Sequence, residues 1–181
     1  MSGLEGGERV RSADTFLREP HQGMYGESGP EDGEALSSRG YTTSFTADQT
    51  PGEVFRAINN PRAWWSEGID GTTDKVGGVF DYHYEDVHRC KVKVTGLTPG
   101  ERVEWLVLDN YFDFTKDKSE WKNTRILFEI SKKGSRTEVR FSHLGLVPRY
   151  ECYDVCTNAW GTYIRGSLKR LIATGVGHPN R

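Results

Sequence analysis

YECYDVCTNAWGTYIRGSLKRLIAT, residues Tyr150 to Thr174, decides how the rest of this chain must fold. Val155, Ala159, Trp160, Tyr163, Ile164, Leu168, Leu171 and Ile172 recur at steps of three and four, which places them on one helical face. Asp154, Asn158, Thr162, Arg165, Lys169 and Arg170 fall on the other side and suit water. Basic residues gather in the last turns, where they complement the negative end of the helix dipole. Gly175 stands at the usual stop position, and Pro179 prevents a restart. Nearly everything from residue 41 to 144 reads as strand, so a sheet needs a cover for its inner face. This helix supplies it.

The chain has 181 residues, a net charge near −2 and 12% aromatic residues. That length suits one domain plus a tail, and a domain of this size holds together without disulfides or metal. Balanced charge with no basic stripe argues against nucleic acid as partner. No run approaches the ~18 apolar residues of a membrane span, and the first ten residues lack the apolar core of a secretory signal. Cys90, Cys152 and Cys156 are odd in number and sparse, which reads as free thiols in a reducing cytoplasm.

Residues 1–40 read as a flexible tail, because QGMYGESGPEDGEALSSRG holds too little apolar surface to order itself. The domain is expected over residues 41–178. A first strand covers about Tyr41 to Thr46. A helix follows, capped by Asp48 or Thr50, with Pro51 in its first turn. Asn59-Asn60-Pro61 ends it and opens a second short piece carrying Trp64 and Trp65. The period then changes to two, with strands at Val79–Tyr84, His88–Thr95, Arg102–Leu108, Thr124–Ser131 and Thr137–Leu144. The apolar Trp105-Leu106-Val107-Leu108 run implies burial on both faces or strong curvature. A polar loop, Asp109 to Lys122, carries Tyr111, Phe112, Phe114 and Trp121.

Short links favour an antiparallel meander. Register is the open point. Phe80, Tyr82 and Tyr84 share a face with Cys90, Val92 and Val94 only if the turn between them has an odd length, such as Glu85-Asp86-Val87. A two-residue turn would set the tyrosines beside Arg89 and Lys91 instead. The first keeps the apolar set together and is preferred.

This order of elements, with PGEVFRAINNPRAWW, VGGVF, GLTPGERVEW and the final W-x-x-Y-I-x-x-S-L-K-x-L-I-x-T-G, resembles the START-like (SRPBCC) superfamily over about residues 40–178. Within it the chain looks like the Aha-type branch, related to the activator of a heat-shock chaperone ATPase. The resemblance implies an α+β helix-grip fold: a curved antiparallel sheet of six to seven strands wrapped around the long C-terminal helix, with two short helices after the first strand. Such folds host ligand binders, cyclases and co-chaperones, so fold alone does not name an activity.

A gap between curved sheet and helix is a natural ligand cavity. Its candidate lining is Trp64, Trp65, Phe80, Tyr82, Tyr84, Trp105, Phe128, Phe141, His143, Trp160, Tyr163 and Ile164. His143 shares parity with Val139 and Phe141, so it is expected to face the cavity as a hydrogen-bonding or acid–base group. Tyr111, Phe112 and Phe114 are the natural lid. A metal centre would draw on His83, His88, Cys90 and His143, but His83 has outward parity and no HxH, HExxH or CxxC spacing occurs. No phosphate loop or nucleophile elbow is present, and no cofactor is implied.

Three functions follow. The first is a cytoplasmic binder of a small hydrophobic or aromatic molecule, and nothing in the residues establishes a reaction. The second, implied by the Aha-type resemblance, is an interaction module with a chaperone ATPase as partner. The third is a polyketide cyclase or dehydratase-like enzyme. Monomer and homodimer both stay open, since an outer sheet edge or the Tyr111–Phe114 loop could pair two copies.

Overall fold

In the computed structural model, which describes residues 40–181, seven antiparallel strands form one sheet, with the first strand at one edge beside the seventh and the others following in descending order to the second at the far edge. The expected tail lies outside the described residues, except that Gly40 opens β1 (Gly40–Ala47). The first helix, α1 (Pro51–Ile58), starts as its residues dictate. Thr50 accepts from the Glu53 amide while the Glu53 carboxylate accepts from the Thr50 amide, a reciprocal box behind Pro51. A single 3₁₀ turn (Pro61–Ala63) then seats Trp64 and Trp65 under the sheet.

The remaining strands are β2 (Asp70–Gly71), β3 (Val79–Tyr84), β4 (His88–Thr98), β5 (Arg102–Phe112), β6 (Arg125–Lys133) and β7 (Arg136–Leu144). Tyr84 pairs with His88, Tyr82 with Cys90 and Phe80 with Val92. The turn between them is therefore Glu85-Asp86-Val87, the odd-length option, with Glu85 in the left-handed region at φ 47°. At the β6–β7 hairpin Lys133 pairs with Arg136 across Gly134-Ser135. Gly134 takes the positive φ of 64° that a glycine-first two-residue turn requires.

The apolar run in β5 is explained by bulges. The β4–β5 register slips between Lys91 and Val92 and again between Val94 and Gly96. The first slip leaves Leu108 without a partner, which bends the strand and inverts its alternation. Before it the buried residues are Val103, Trp105 and Val107; after it they are Asn110 and Phe112. Strand β5 thus continues four residues beyond the expected Leu108. Tyr111 points outward, where the Arg89 guanidinium lies 4.7 Å from its ring centre, and is no lid residue.

Beneath the sheet lies the C-terminal helix, made of α2 (Tyr153–Gly161), a π-wound stretch (Thr162–Leu168) and α3 (Lys169–Thr174). Its buried stripe is Cys156, Trp160, Ile164, Leu168 and Ile172, a strict step of four. On an ordinary helix of 3.6 residues per turn that stripe would drift round the axis; the wider π turns bring it back under the sheet. Val155, expected on this face, is 58% exposed because it precedes the stripe by one residue. Gly175 closes the helix at φ 80°.

The core joins these layers with buried Trp64, Trp65, Trp105, Trp160, Phe80, Phe128 and Phe141. At about 25 cal/mol per Å² and 150–250 Å² per aromatic side chain, each contributes on the order of 4–6 kcal/mol of burial before entropy is counted.

Candidate functional site

The sheet and the helix do not touch evenly along their length. Toward β6, β7 and the π-wound stretch the space is filled. Trp64 stacks near Trp105 at 6.4 Å, Phe128 meets Trp105 edge-on at 5.3 Å, and Phe141 lies 5.2 Å from Phe128. Trp64, Phe80, Trp105, Phe128, Phe141, His143 and Ile164 are all fully buried there and line no hollow. The cavity expected to run beneath all of them is closed by their own bulk.

His143 shows why. Its Nδ1 accepts from the Trp160 indole N–H at 3.0 Å. Its Nε2 faces the Thr124 hydroxyl at 2.8 Å, and that hydroxyl donates to the Trp121 carbonyl. The imidazole is therefore neutral, with its proton on Nε2 and both nitrogens engaged. Burial, helped by the nearby His88, pushes its pKa down to about 3. It is a structural histidine rather than an acid–base group facing a ligand.

At the other end, between the β3–β4 hairpin and α2, a hollow of about 250 Å³ remains. Its walls include Trp65, Tyr82, Tyr84, Trp160 and Tyr163, five of the residues singled out from sequence. They are joined by Val87, His88, Phe112, Phe114, Trp121, Val155, Cys156 and Ala159. His88 shares parity with Cys90, a signal that would have placed it inward. Phe112 and Phe114, expected as lid residues, both lie at the hollow, where the Leu108 bulge turns Phe112 into the wall; Trp121 sits in an irregular loop with no period to read.

The indoles set the wall geometry. Trp121 stacks parallel to Trp160 at 5.6 Å, and Trp65 stacks on Tyr82 at 4.4 Å. Residues 113–124 are held in place by Glu120, whose buried carboxylate accepts from the amides of Glu151 and Cys152 at 2.7 and 2.9 Å. Those amides open the C-terminal helix, which has no side-chain cap of its own. One carboxylate thus caps the helix and fixes Trp121 against it.

Polar groups on the wall are few. His88 Nε2 bonds Asn110 Oδ1 at 2.9 Å, and burial lowers the His88 pKa to about 4 against that bond. The hydroxyls of Tyr82 and Tyr163 both take a bond from the Asn180 amide, at 3.1 and 2.9 Å. Burial, then the neighbouring Tyr163, raises the Tyr82 pKa. No carboxylate, lysine or arginine lies on the wall. At the mouth stand Tyr84, Phe114 and Val155, exposed by 38, 44 and 58%.

A larger hollow, about 910 Å³, lies between β1 and the outer side of the helix. It is a groove open to water, with Lys133, Glu138, Arg165 and Lys169 on its walls. His83 projects outward, away from Cys90 and His88. No helix of the described residues is long and apolar enough to cross a membrane.

Comparison with known proteins agrees with this architecture. The Aha1 dimer of Colwellia psychrerythraea has a similar fold (TM-score 0.60, 22% identity), covering 75% of this chain and 97% of that one. So does MLL2253 of Mesorhizobium loti (0.57, 15%; 73% and 96% covered). DynU16, from a dynemicin biosynthetic locus, matches at 0.55 and 15%, with 77% of this chain and 50% of that one covered. At these identities the likeness concerns the fold. No curated protein matches by sequence. The helix-grip fold expected from sequence is therefore the fold observed, and the profile of one family fits residues 48–173. The chain belongs to the family described as Activator of Hsp90 ATPase homolog 1-like protein.

Proposed function

We propose that this domain binds a compact, uncharged, largely apolar molecule in the hollow between the β3–β4 hairpin and α2. One observation carries the reading. The hollow of about 250 Å³ is walled by three indoles and three tyrosines, and Tyr84, Phe114 and Val155 are exposed at its mouth. A monomer gains nothing from leaving Tyr84, Phe114 and Val155 in water unless something covers them. The hollow sits just below the ~300 Å³ at which drug-sized ligand sites begin, so its occupant has one or two rings. A cytoplasmic setting, inferred from the three unpaired cysteines, accompanies this reading.

Native mass spectrometry of the purified chain tests it. The expected result is a copurifying or added apolar compound of one to two rings, bound one per chain and displaced in the Ala159→Trp variant, whose indole would fill the hollow. Failure of every such compound to bind the folded chain would sink the proposal.

The same exposed mouth, together with the family's name, favours a second reading in which Tyr84, Phe114 and Val155 contact a partner such as a chaperone ATPase. Pull-down of that partner, abolished by Phe114→Ser, would put it ahead of the first. A cyclase-like reaction required a second titratable group beside His143. Thr124 and Trp160 occupy both imidazole nitrogens instead, so that support is gone.

A further inference from the structure

We propose that the hollow selects a neutral hydroxyarene: a one- or two-ring aromatic whose hydroxyl donates to His88 Nδ1. This rests on the binding reading above and specifies its ligand class. The side chain of Asn110 donates through Nδ2 to the Lys118 carbonyl at 3.1 Å, so its Oδ1 is the atom presented to His88. His88 must then carry its proton on Nε2. Nδ1 is left as an acceptor with no hydrogen bond among the described residues, in a side chain that is 8% exposed and lies on the wall.

Trp121 offers no second contact point. Its Nε1 has no hydrogen-bond partner among the described residues, but it is buried and closed off from the hollow as well. The tyrosine hydroxyls at 82 and 163 are held by the Asn180 amide. One unfilled acceptor thus stands on the wall, and a hydroxyl is the smallest neutral donor an aromatic ring can bring to it. Buried polar groups left unpaired favour the ligand that pairs them.

The rest of the wall sets the remainder of the ligand. Flat indole and phenol surfaces favour an aromatic ring. The absence of charged wall groups disfavours a phenolate or carboxylate, which would be stripped of water without a counter-charge. An apolar cavity of about 150 Å³ takes one benzene, so the ~250 Å³ here suits two fused rings.

The test uses the ¹⁵N-labelled full chain and the indole N–H signals of its five tryptophans. Three probes are titrated: 2-naphthol, 2-methoxynaphthalene, which accepts but does not donate, and naphthalene, which does neither. 2-Naphthol should bind at least tenfold more tightly than the other two, which bind alike, and shifts of the wall indole protons report the binding. His88→Leu should erase most of the naphthol preference. Equal binding of all three probes, or full preference retained in His88→Leu, overturns the hydroxyarene assignment and leaves an apolar site standing. Binding of none overturns both.

Discussion

Two buried histidines flank the Trp121 ring, one on the filled side of the aromatic interior and one on the hollow side, and they differ in their hydrogen bonding. His143, at the filled end, has a donor on one nitrogen and an acceptor on the other. His88, at the hollow end, has a partner on Nε2 alone. Both lie among indoles and phenyl rings, both are neutral, and neither touches a carboxylate. A core histidine is thus distinguished from a site histidine by completeness of hydrogen bonding rather than by burial. At His143 both nitrogens are paired and side chains fill the volume; at His88 one nitrogen stays unpaired and faces a hollow.

Acid should act on both ends at once. An unfolded histidine titrates near 6.5, whereas burial holds His88 near 4 and His143 near 3. Between those values the unfolded chain binds protons that the folded chain refuses, so stability falls as pH drops from about 6.5 toward 4. At pH 4 each residue should have cost about 3 kcal/mol, at 1.36 kcal/mol per pKa unit. Together they are comparable to the whole stability of an ordinary domain. Urea midpoints measured from pH 7 to pH 4 check this. A flat profile would mean that the histidines are hydrated and that the contrast between them is void.

Trp160 is the residue shared by the two ends, since it donates to His143 and also forms part of the hollow's wall. Trp160→Ala should destabilise by about 3–5 kcal/mol, because a large buried ring is lost and the His143 acceptor is left unpaired. Denaturant unfolding of the variant gives the number. A loss below about 1 kcal/mol would place Trp160 on a cavity wall only and merge the two regions into one.

How far these regions were legible in the sequence follows from where periodicity survives. The step-of-four stripe through Trp160 and Ile164 and the parity of Phe80, Tyr82 and Tyr84 with Cys90 are local patterns, so helix, hairpin and register could all be read. His143 was correctly inward, but its partners Thr124 and Trp160 are 19 and 17 residues away. No local pattern reports such pairing, and a satisfied histidine therefore looked like a free one. His88 was inward by the same parity as Cys90, a signal passed over. The remaining wall was hidden for physical reasons. The Leu108 bulge inverts the face on which Phe112 falls, and Trp121 is positioned by Glu120 capping a distant helix rather than by any repeat.

The smallest expected effect concerns the rim of the hollow end. Phe114 is 44% exposed, and its ring leans on Phe112 at 5.0 Å. Phe114→Ser removes a ring that is slightly more than half buried, so stability should fall by no more than about 1 kcal/mol. Binding should respond more. If an apolar occupant or partner covers the mouth, the ring's exposed area is buried only in the complex, and its loss should weaken binding by about 1–2 kcal/mol, roughly five- to thirtyfold. Paired measurements of unfolding and binding on this one variant separate the two states. A variant that loses stability but not affinity would show that Phe114 finishes the core, leaving the hollow end as inert as the filled one.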